Sequence, residues 1–285
     1  MGHHNRHYGG DRHALHGAWS PPTSSANFCE EDYAISIYLA EFINSLTNLV
    51  YVYYALQAMY RPRNLTPGSK ETTQTRSLFS PKTDFMSISL LILGICSFAF
   101  HASMRQTMQF ADELAMLGLA WALLQGVLTV RTRWSTWDRV TNFGMVVAFP
   151  AFSAFYIHTG KIIYHATVFT LILALIIARG YYFFYIRKPG FPPAKVRDWR
   201  IRGRKILVVL IVGYVLWQCD LEFCAQLRRW RGQMGLPWAW VLELHGWWHV
   251  FTAFSAAKFM DIVRELQFEL RAEEEKKQEG KQDFM

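Results

Sequence analysis

Apolar residues gather in seven blocks, approximately Tyr33–Tyr60, Thr83–Met104, Gln109–Val130, Trp137–Ile157, Lys161–Ile186, Lys205–Cys219 and Trp238–Met260. A helix needs about 20 mostly apolar residues to cross the hydrocarbon core of a bilayer, and most of the blocks reach that length. The sixth is the shortest and is expected to run on past Asp220. Pro62, Pro67 and Gly68 mark the first connecting loop. Pro189, Gly190, Pro192 and Pro193 mark a longer one that helices would not cross. No internal repeat stands out. The pattern predicts an all-α integral membrane protein, a seven-transmembrane helix bundle.

Composition changes this picture little, because the polar residues are segregated. The 285 residues are 52% hydrophobic and 16% aromatic. Mean hydropathy is only +0.06, since long loops and tails dilute the apolar blocks. A formal net charge of +8 raises the question of nucleic acid. The basic residues, however, sit in loops between apolar blocks, which is the signature of membrane topology. Loop one, loop three, the Arg187–Lys205 loop and the C-terminal tail hold five, three, eight and five Lys or Arg. The opposite side holds seven: Arg6, Arg12, Arg105, Lys161, Arg228, Arg229 and Arg231. The bias predicts a lumenal or external N-terminus and a cytosolic C-terminus.

Three regions follow: a disordered His-rich tail over residues 1–18, a membrane domain over 19–262, and a charged cytosolic tail over 263–285. No cleavable signal pattern precedes the first block, so that block is expected to direct insertion itself. Asn64-Leu65-Thr66 is a glycosylation sequon in a loop assigned to the cytosol, so it is expected to stay unmodified.

Candidate chemistry clusters at one depth. In Glu243-Leu244-His245-Gly246-Trp247-Trp248-His249 the two histidines lie four apart, on one helix face. His101 and Ser97 lie near the end of the second block, and Asp112 near the start of the third. With the predicted topology all five fall on the lumenal side of the bundle. Three histidines with an open fourth position suit a catalytic zinc ion (Zn2+). Asp112 is placed to serve as acid and base, and Ser97, one turn before His101, to donate to a developing oxyanion. Each residue also has an ordinary reading. A lone histidine in an apolar helix is commonly a packed, hydrogen-bonded residue, and the Ser97 hydroxyl can bond a carbonyl of its own helix.

A second cluster, Asn27, Glu30, Glu31, Asp32 and Glu41, is rich in oxygen donors at short spacing and suits calcium (Ca2+). The alternative is a solvated acidic lead-in with Asn27 or Asp32 capping a helix. Glu41, about two turns further on, needs a cation or donor in either case. Four cysteines are too few for a disulfide scaffold. A bridge between Cys29 and Cys224, both on the lumenal side, would tie the acidic segment to the loop before the seventh block. Cys96 and Cys219 lie within blocks and are expected to be free thiols. Trp19, Trp238, Trp240, Trp247 and Trp248 read as an interfacial aromatic belt, with Trp247 and Trp248 also candidates to line a lipid pocket. His158 and His165 read as ordinary polar residues.

Several of these motifs together resemble the alkaline ceramidases, a family of seven-helix membrane hydrolases in a superfamily that includes the adiponectin receptors. The resemblance rests on Trp19-x-Pro21, Asn27-Phe28-Cys29-Glu30-Glu31-Asp32-Tyr33 and Ala40-Glu41-Phe42-x-Asn44. It rests equally on Ser97-x-x-x-His101, Asp112-Glu113 and Glu243-x-His245-x-x-x-His249, and it runs from about Trp19 to about Met260.

The resemblance implies a zinc amidase that cleaves ceramide, including phytoceramide or dihydroceramide, to a sphingoid base and a fatty acid. In that reading His101, His245 and His249 hold zinc, Asp112 is the acid and base, and Ser97 stabilises the oxyanion. Asn27, the Phe28 carbonyl, Glu30, Asp32 and Glu41 hold calcium, and Cys29 pairs with Cys224. The implied setting is the endoplasmic reticulum membrane or the Golgi, with a ceramide-type lipid as partner, no nucleic acid and no obligate protein partner. The calcium segment departs from the family pattern, which often has Asp-Trp where this chain has Asn27-Phe28 and Asn where it has Asp32. That exchange leaves the carboxylate count unchanged. An adiponectin-receptor-like protein with a structural zinc is the rival reading.

Overall fold

The structure is a computed structural model that describes residues 11–60, 83–129, 136–187 and 191–282. Among the described residues it is all helical, with no strand. In chain order the helices are α1 (Phe42–Thr47), α2 (Leu49–Tyr60), α3 (Phe85–Ser103), α4 (Gln106–Leu128) and α5 (Thr136–Thr159). They continue with α6 (Ile162–Tyr181), α7 (Pro193–Glu222), α8 (Cys224–Met234) and α9 (Leu244–Gln282). A π-helical turn over Tyr182–Ile186 prolongs α6, and a 3-10 turn over Trp238–Leu242 leads into α9.

The helix ends follow from local chemistry. Asp84 caps α3 by accepting from the Ser87 N–H at 2.8 Å while the Ser87 hydroxyl accepts from the Asp84 N–H, a reciprocal capping box. Met104, at φ 50°, closes α3 in the left-handed conformation, and α4 starts two residues later. The resulting hairpin sets the end of α3, with Ser97 and His101, beside the start of α4, with Asp112. Pro193 occupies the first turn of α7, where its missing N–H costs no helical bond.

The first apolar block differs from expectation. Residues 33–41 are not helical, and helix begins only at Phe42. The reason is that the last carbonyls of α3 have no partner within their own helix. The Ala40 N–H donates to the Ala102 carbonyl and the Glu41 N–H to the His101 carbonyl, each at 2.9 Å. The Thr23 and Ser24 N–H groups likewise donate to the Met104 carbonyl. The N-terminal segment is thus a strap across the end of the bundle. It starts upstream of Trp19: Asp11 and the turns that follow it belong to the strap, where disorder was expected.

The main core joins α3 (Met86, Leu90, Leu93), α4 (Leu117, Leu124, Val127), α6 (Ile172, Ile176) and α9 (Met260, Val263). Two glycines mark close approaches. A Cβ on Gly94 would lie 2.9 Å from a Val52 methyl, and one on Gly246 would lie 3.2 Å from both Ile43 and Thr47. The second contact seats the start of α9 directly on α1. At the other end α9 runs unbroken through Met260, and Ile262, Leu266 and Leu270 join Phe183, Phe191 and Trp199 in a second core. Ion pairs flank that core: Arg202 with Glu265, Lys195 with Glu269, and Arg187 with Glu273.

Much of the outer surface is apolar. Val140, Phe143, Val146 and Val147 on α5 are exposed, as are Leu171 and Leu175 on α6 and Val208, Ile211 and Val215 on α7. Faces of this kind belong in lipid. Among the described residues α3, α4 and the Ile162–Ile186 helix are long and apolar enough to cross a membrane, and α7 with α8, bent by 90°, would make a fourth span.

Candidate metal centre

His101 on the last turn of α3 and His245 and His249 on the first turns of α9 meet inside the protein. One ligand atom from each lies within 4.8 Å of the others. All three are at most 4% exposed. The two flanking hydrogen bonds decide which nitrogens face inward. The Glu41 carboxylate accepts from His101 Nδ1 at 2.5 Å, so His101 Nε2 keeps its lone pair. His249 Nδ1 lies 3.0 Å from Thr47 Oγ1, whose own proton is directed to the Ile43 carbonyl at 2.9 Å. Nδ1 is therefore the donor and Nε2 is again free. His245 has a buried imidazole with no hydrogen-bond partner at either nitrogen. A buried polar side chain left this way is expensive, and an electron-pair acceptor between the three rings would satisfy it. The donor set, three imidazoles each able to offer a lone pair, fits a metal ion.

Asp112 is 7% exposed and hydrogen-bonds the Ser97 hydroxyl. Its Oδ1 is buried without a partner. The Ser97 hydroxyl thus turns toward the next helix, and α3 and α4 place the pair one turn from His101. Tyr51 on α2 lies on the same side. Its hydroxyl bonds Thr252, and its ring centroid is 6.4 Å from that of His249.

The acidic segment wraps the triad. Glu41 is fully buried and also accepts from Asn44 Nδ2 at 3.0 Å and the Phe28 N–H at 3.3 Å. Glu30 uses one oxygen for the Ile43 N–H, at 2.6 Å, and the other for the Asn44 N–H, at 2.8 Å. It therefore caps α1, where a carboxylate also answers the helix dipole. Asp32 is buried, and its Oδ1 has no hydrogen-bond partner. Burial first, then the Glu41 and Asp11 charges, push the Asp32 carboxyl up to about 8. Burial and the Glu243 and Glu41 charges likewise hold the Glu30 carboxyl well above the usual range. Asn27 Oδ1 accepts from the Phe28 N–H. A segment this acidic and this buried favours a cation beside it.

Cys29 and Cys224 are joined in a disulfide with Cα atoms 5.3 Å apart, while Cys96 and Cys219 are free. Around the bridge, Arg231 donates to the Cys29 carbonyl at 2.9 Å and pairs with buried Glu243. Arg228 donates to the same carbonyl and to Asp11.

The ceramidase family model matches residues 20–284. The chain belongs to the ceramidase family. Alkaline ceramidase 3 of Mus musculus is 23% identical over 240 residues, covering 84% of this chain and 82% of the relative. Alkaline ceramidase YPC1 of Saccharomyces cerevisiae is 26% identical over 253 residues, covering 84% and 75%. The alkaline ceramidase of Arabidopsis thaliana is 26% identical over 244 residues, covering 84% and 82%.

Within this ceramidase chain, four functional neighbours were not singled out from sequence. Thr47 orients His249, and Tyr51 approaches both Asp112 and His249. Asp220 is fully buried and caps α9 across the bundle, accepting from the Cys29 N–H at 3.1 Å and the His245 N–H at 3.4 Å. Asp11 accepts from the Asp32 N–H at 2.8 Å from a position upstream of the family match. Intramembrane carboxylates are a general signal, and Asp220 could have been found by it. Thr47 could not, because it looks like any helical threonine. The tryptophans divide: Trp238, Trp240 and Trp247 line an apolar cleft with Ile43 and Val241, whereas Trp248 stacks on Trp217. His165 donates to the Glu113 carbonyl, and the Glu113 side chain accepts from Tyr156 and Gln109, a buried polar link among α4, α5 and α6.

Proposed function

We propose that this chain is a zinc-dependent amide hydrolase that cleaves ceramide to a sphingoid base and a free fatty acid inside the membrane. The observation that carries the reading is the triad: three buried imidazoles with ligand atoms within 4.8 Å, two oriented by Glu41 and Thr47 and the third unpartnered. The relatives are named as alkaline ceramidases, which supplies the substrate class.

His101, His245 and His249 would hold the zinc. A zinc ion there would supply Lewis acidity toward a water molecule and the amide carbonyl. Asp112 accepts the proton that the attacking water gives up and returns it to the departing amine, so that one carboxyl serves both halves of the reaction. Ser97 starts as the donor to Asp112. Once Asp112 carries the proton, the Ser97 hydroxyl is released to turn toward the negative charge growing on the carbonyl oxygen. Glu41 keeps His101 in the tautomer that presents Nε2. Asn27, the Phe28 carbonyl, Glu30, Asp32 and Glu41 would hold a calcium ion that neutralises the buried carboxylates and stiffens the strap.

In the same reading the chain makes seven spans with a lumenal N-terminus, a cytosolic C-terminus and residence in the endoplasmic reticulum or Golgi membrane. Exposed apolar faces on α5, α6 and α7 support the embedding.

The test is hydrolysis of ceramide, phytoceramide and dihydroceramide by the purified protein before and after zinc is stripped by a chelator and restored. Loss on stripping and recovery with zinc is expected. Undiminished cleavage by metal-free protein would overturn the reading.

A further inference from the structure

We infer that Phe28 is the positioning residue for His245, holding the one imidazole of the triad that no hydrogen bond orients. The inference rests on the metal reading of the triad and adds a role that sequence does not give, since there only the Phe28 carbonyl had a function.

The three histidines are secured differently. His101 leans on Glu41 and His249 on Thr47, each through Nδ1. His245 has neither nitrogen paired. Metal-ligating histidines almost always give their second nitrogen to a carboxylate, carbonyl or water, which sets tautomer and ring plane. At His245 something else must set the plane. The Phe28 ring lies against it with centroids 3.9 Å apart and 23° between planes. The other rings near His245 meet it at steeper angles: His101 at 5.1 Å and 49°, His249 at 4.5 Å and 81°. Phe28 is thus the flat surface on which this imidazole rests.

The surface is itself fixed. The Phe28 N–H donates to Glu41, the residue that orients His101. Its next neighbour, Cys29, is bridged to Cys224 and donates its N–H to Asp220, the carboxylate that also accepts from the His245 N–H. Stacked ring and imidazole are therefore referred to common supports. The ring also packs edge-on against Phe100 at 6.3 Å, one residue before His101. An aromatic contact of this kind is worth about threefold to tenfold in an equilibrium constant beyond what apolar burial gives.

The experiment is a competitive titration of zinc and of cobalt(II) against a chromophoric chelator. It uses the full-length protein in detergent at fixed calcium, with Phe28→Trp, Phe28→Leu and His245→Ala compared with the unchanged chain. Leucine keeps apolar bulk and removes the flat face, and tryptophan keeps the face. Phe28→Leu is expected to bind both metals about threefold to tenfold more weakly, with altered cobalt d–d bands, whereas Phe28→Trp retains affinity and spectrum. Phe28→Leu binding with unchanged affinity and spectrum overturns the inference, and so does Phe28→Trp weakened as much as Phe28→Leu. An unchanged chain that binds no better than His245→Ala overturns the metal reading instead. Retention of the Cys29–Cys224 bridge on a non-reducing gel reports that each variant is folded.

Discussion

Each histidine of the triad is defined by what stands behind it. Glu41 is the partner whose loss matters most, because it touches His101 directly and anchors Phe28 as well. Glu41→Gln is expected to weaken zinc binding about 10- to 100-fold, the usual cost of losing an outer partner of a metal ligand. Chelator competition measures it, and unchanged affinity would mean that the His101–Glu41 bond does not support the metal. Asp112→Asn is expected to retain zinc and lower ceramide hydrolysis about 10²- to 10⁴-fold, since it removes proton transfer and not a ligand. Metal content and turnover measured on the same sample separate the two. Sequence marked both residues as intramembrane carboxylates in need of partners. For Glu41 it asked for a cation or a donor, with calcium implied by the resemblance, and could not name His101, because nothing in the chain order reveals that residue 41 lies against residue 101.

At the scale of elements, helix ends and a strap assemble the site. Glu30 caps α1, Asp220 caps α9, and the end of α3 is closed by the strap's own N–H groups. The strap explains why the first block departs from its apolar pattern. Hydropathy registers the burial of Tyr33 and Ala40 without registering that the Ala40 and Glu41 N–H groups serve the last carbonyls of α3. The bridge holds the strap to α8. Cys29→Ser is expected to lower stability by about 2–5 kcal/mol, read as a fall in melting temperature that reducing agent reproduces in the unchanged chain. A variant with the unchanged melting temperature would show that the strap is held without the bridge. Arg231→Leu leaves Glu243 buried and unpaired, and breaking such a pair costs about 3–5 kcal/mol. The same melting experiment checks it. The α3–α4 hairpin was legible, since Arg105 to Met108 separate two strong blocks. The length of α9 was not: its apolar run ends near Met260, whereas the helix continues because Leu266 and Leu270 pack on Trp199.

For the whole molecule, chemistry and topology make one claim. Ser97, His101, Asp112, His245 and His249 were brought together in sequence by counting charges across a membrane, and in the structure they converge at one end of the bundle. Asn64 lies outside the described residues. The charge count places it in the cytosol, so a glycosidase-shift assay is expected to find no sugar on it. Glycosylated Asn64 would invert the topology and put the site on the opposite face. All-helical architecture and family membership were legible because they reside in block lengths and short motifs. The strap and the partners of the triad were not, because they depend on contacts between residues far apart in the chain.

The most direct measurement pairs metal analysis with ceramide hydrolysis on the purified protein and its His249→Ala variant. About one zinc per chain and ceramide hydrolysis are expected in the unchanged protein, and loss of both in the variant. Hydrolysis that survives in His249→Ala, or an unchanged protein that cleaves ceramide while holding no zinc, would contradict the zinc-hydrolase reading.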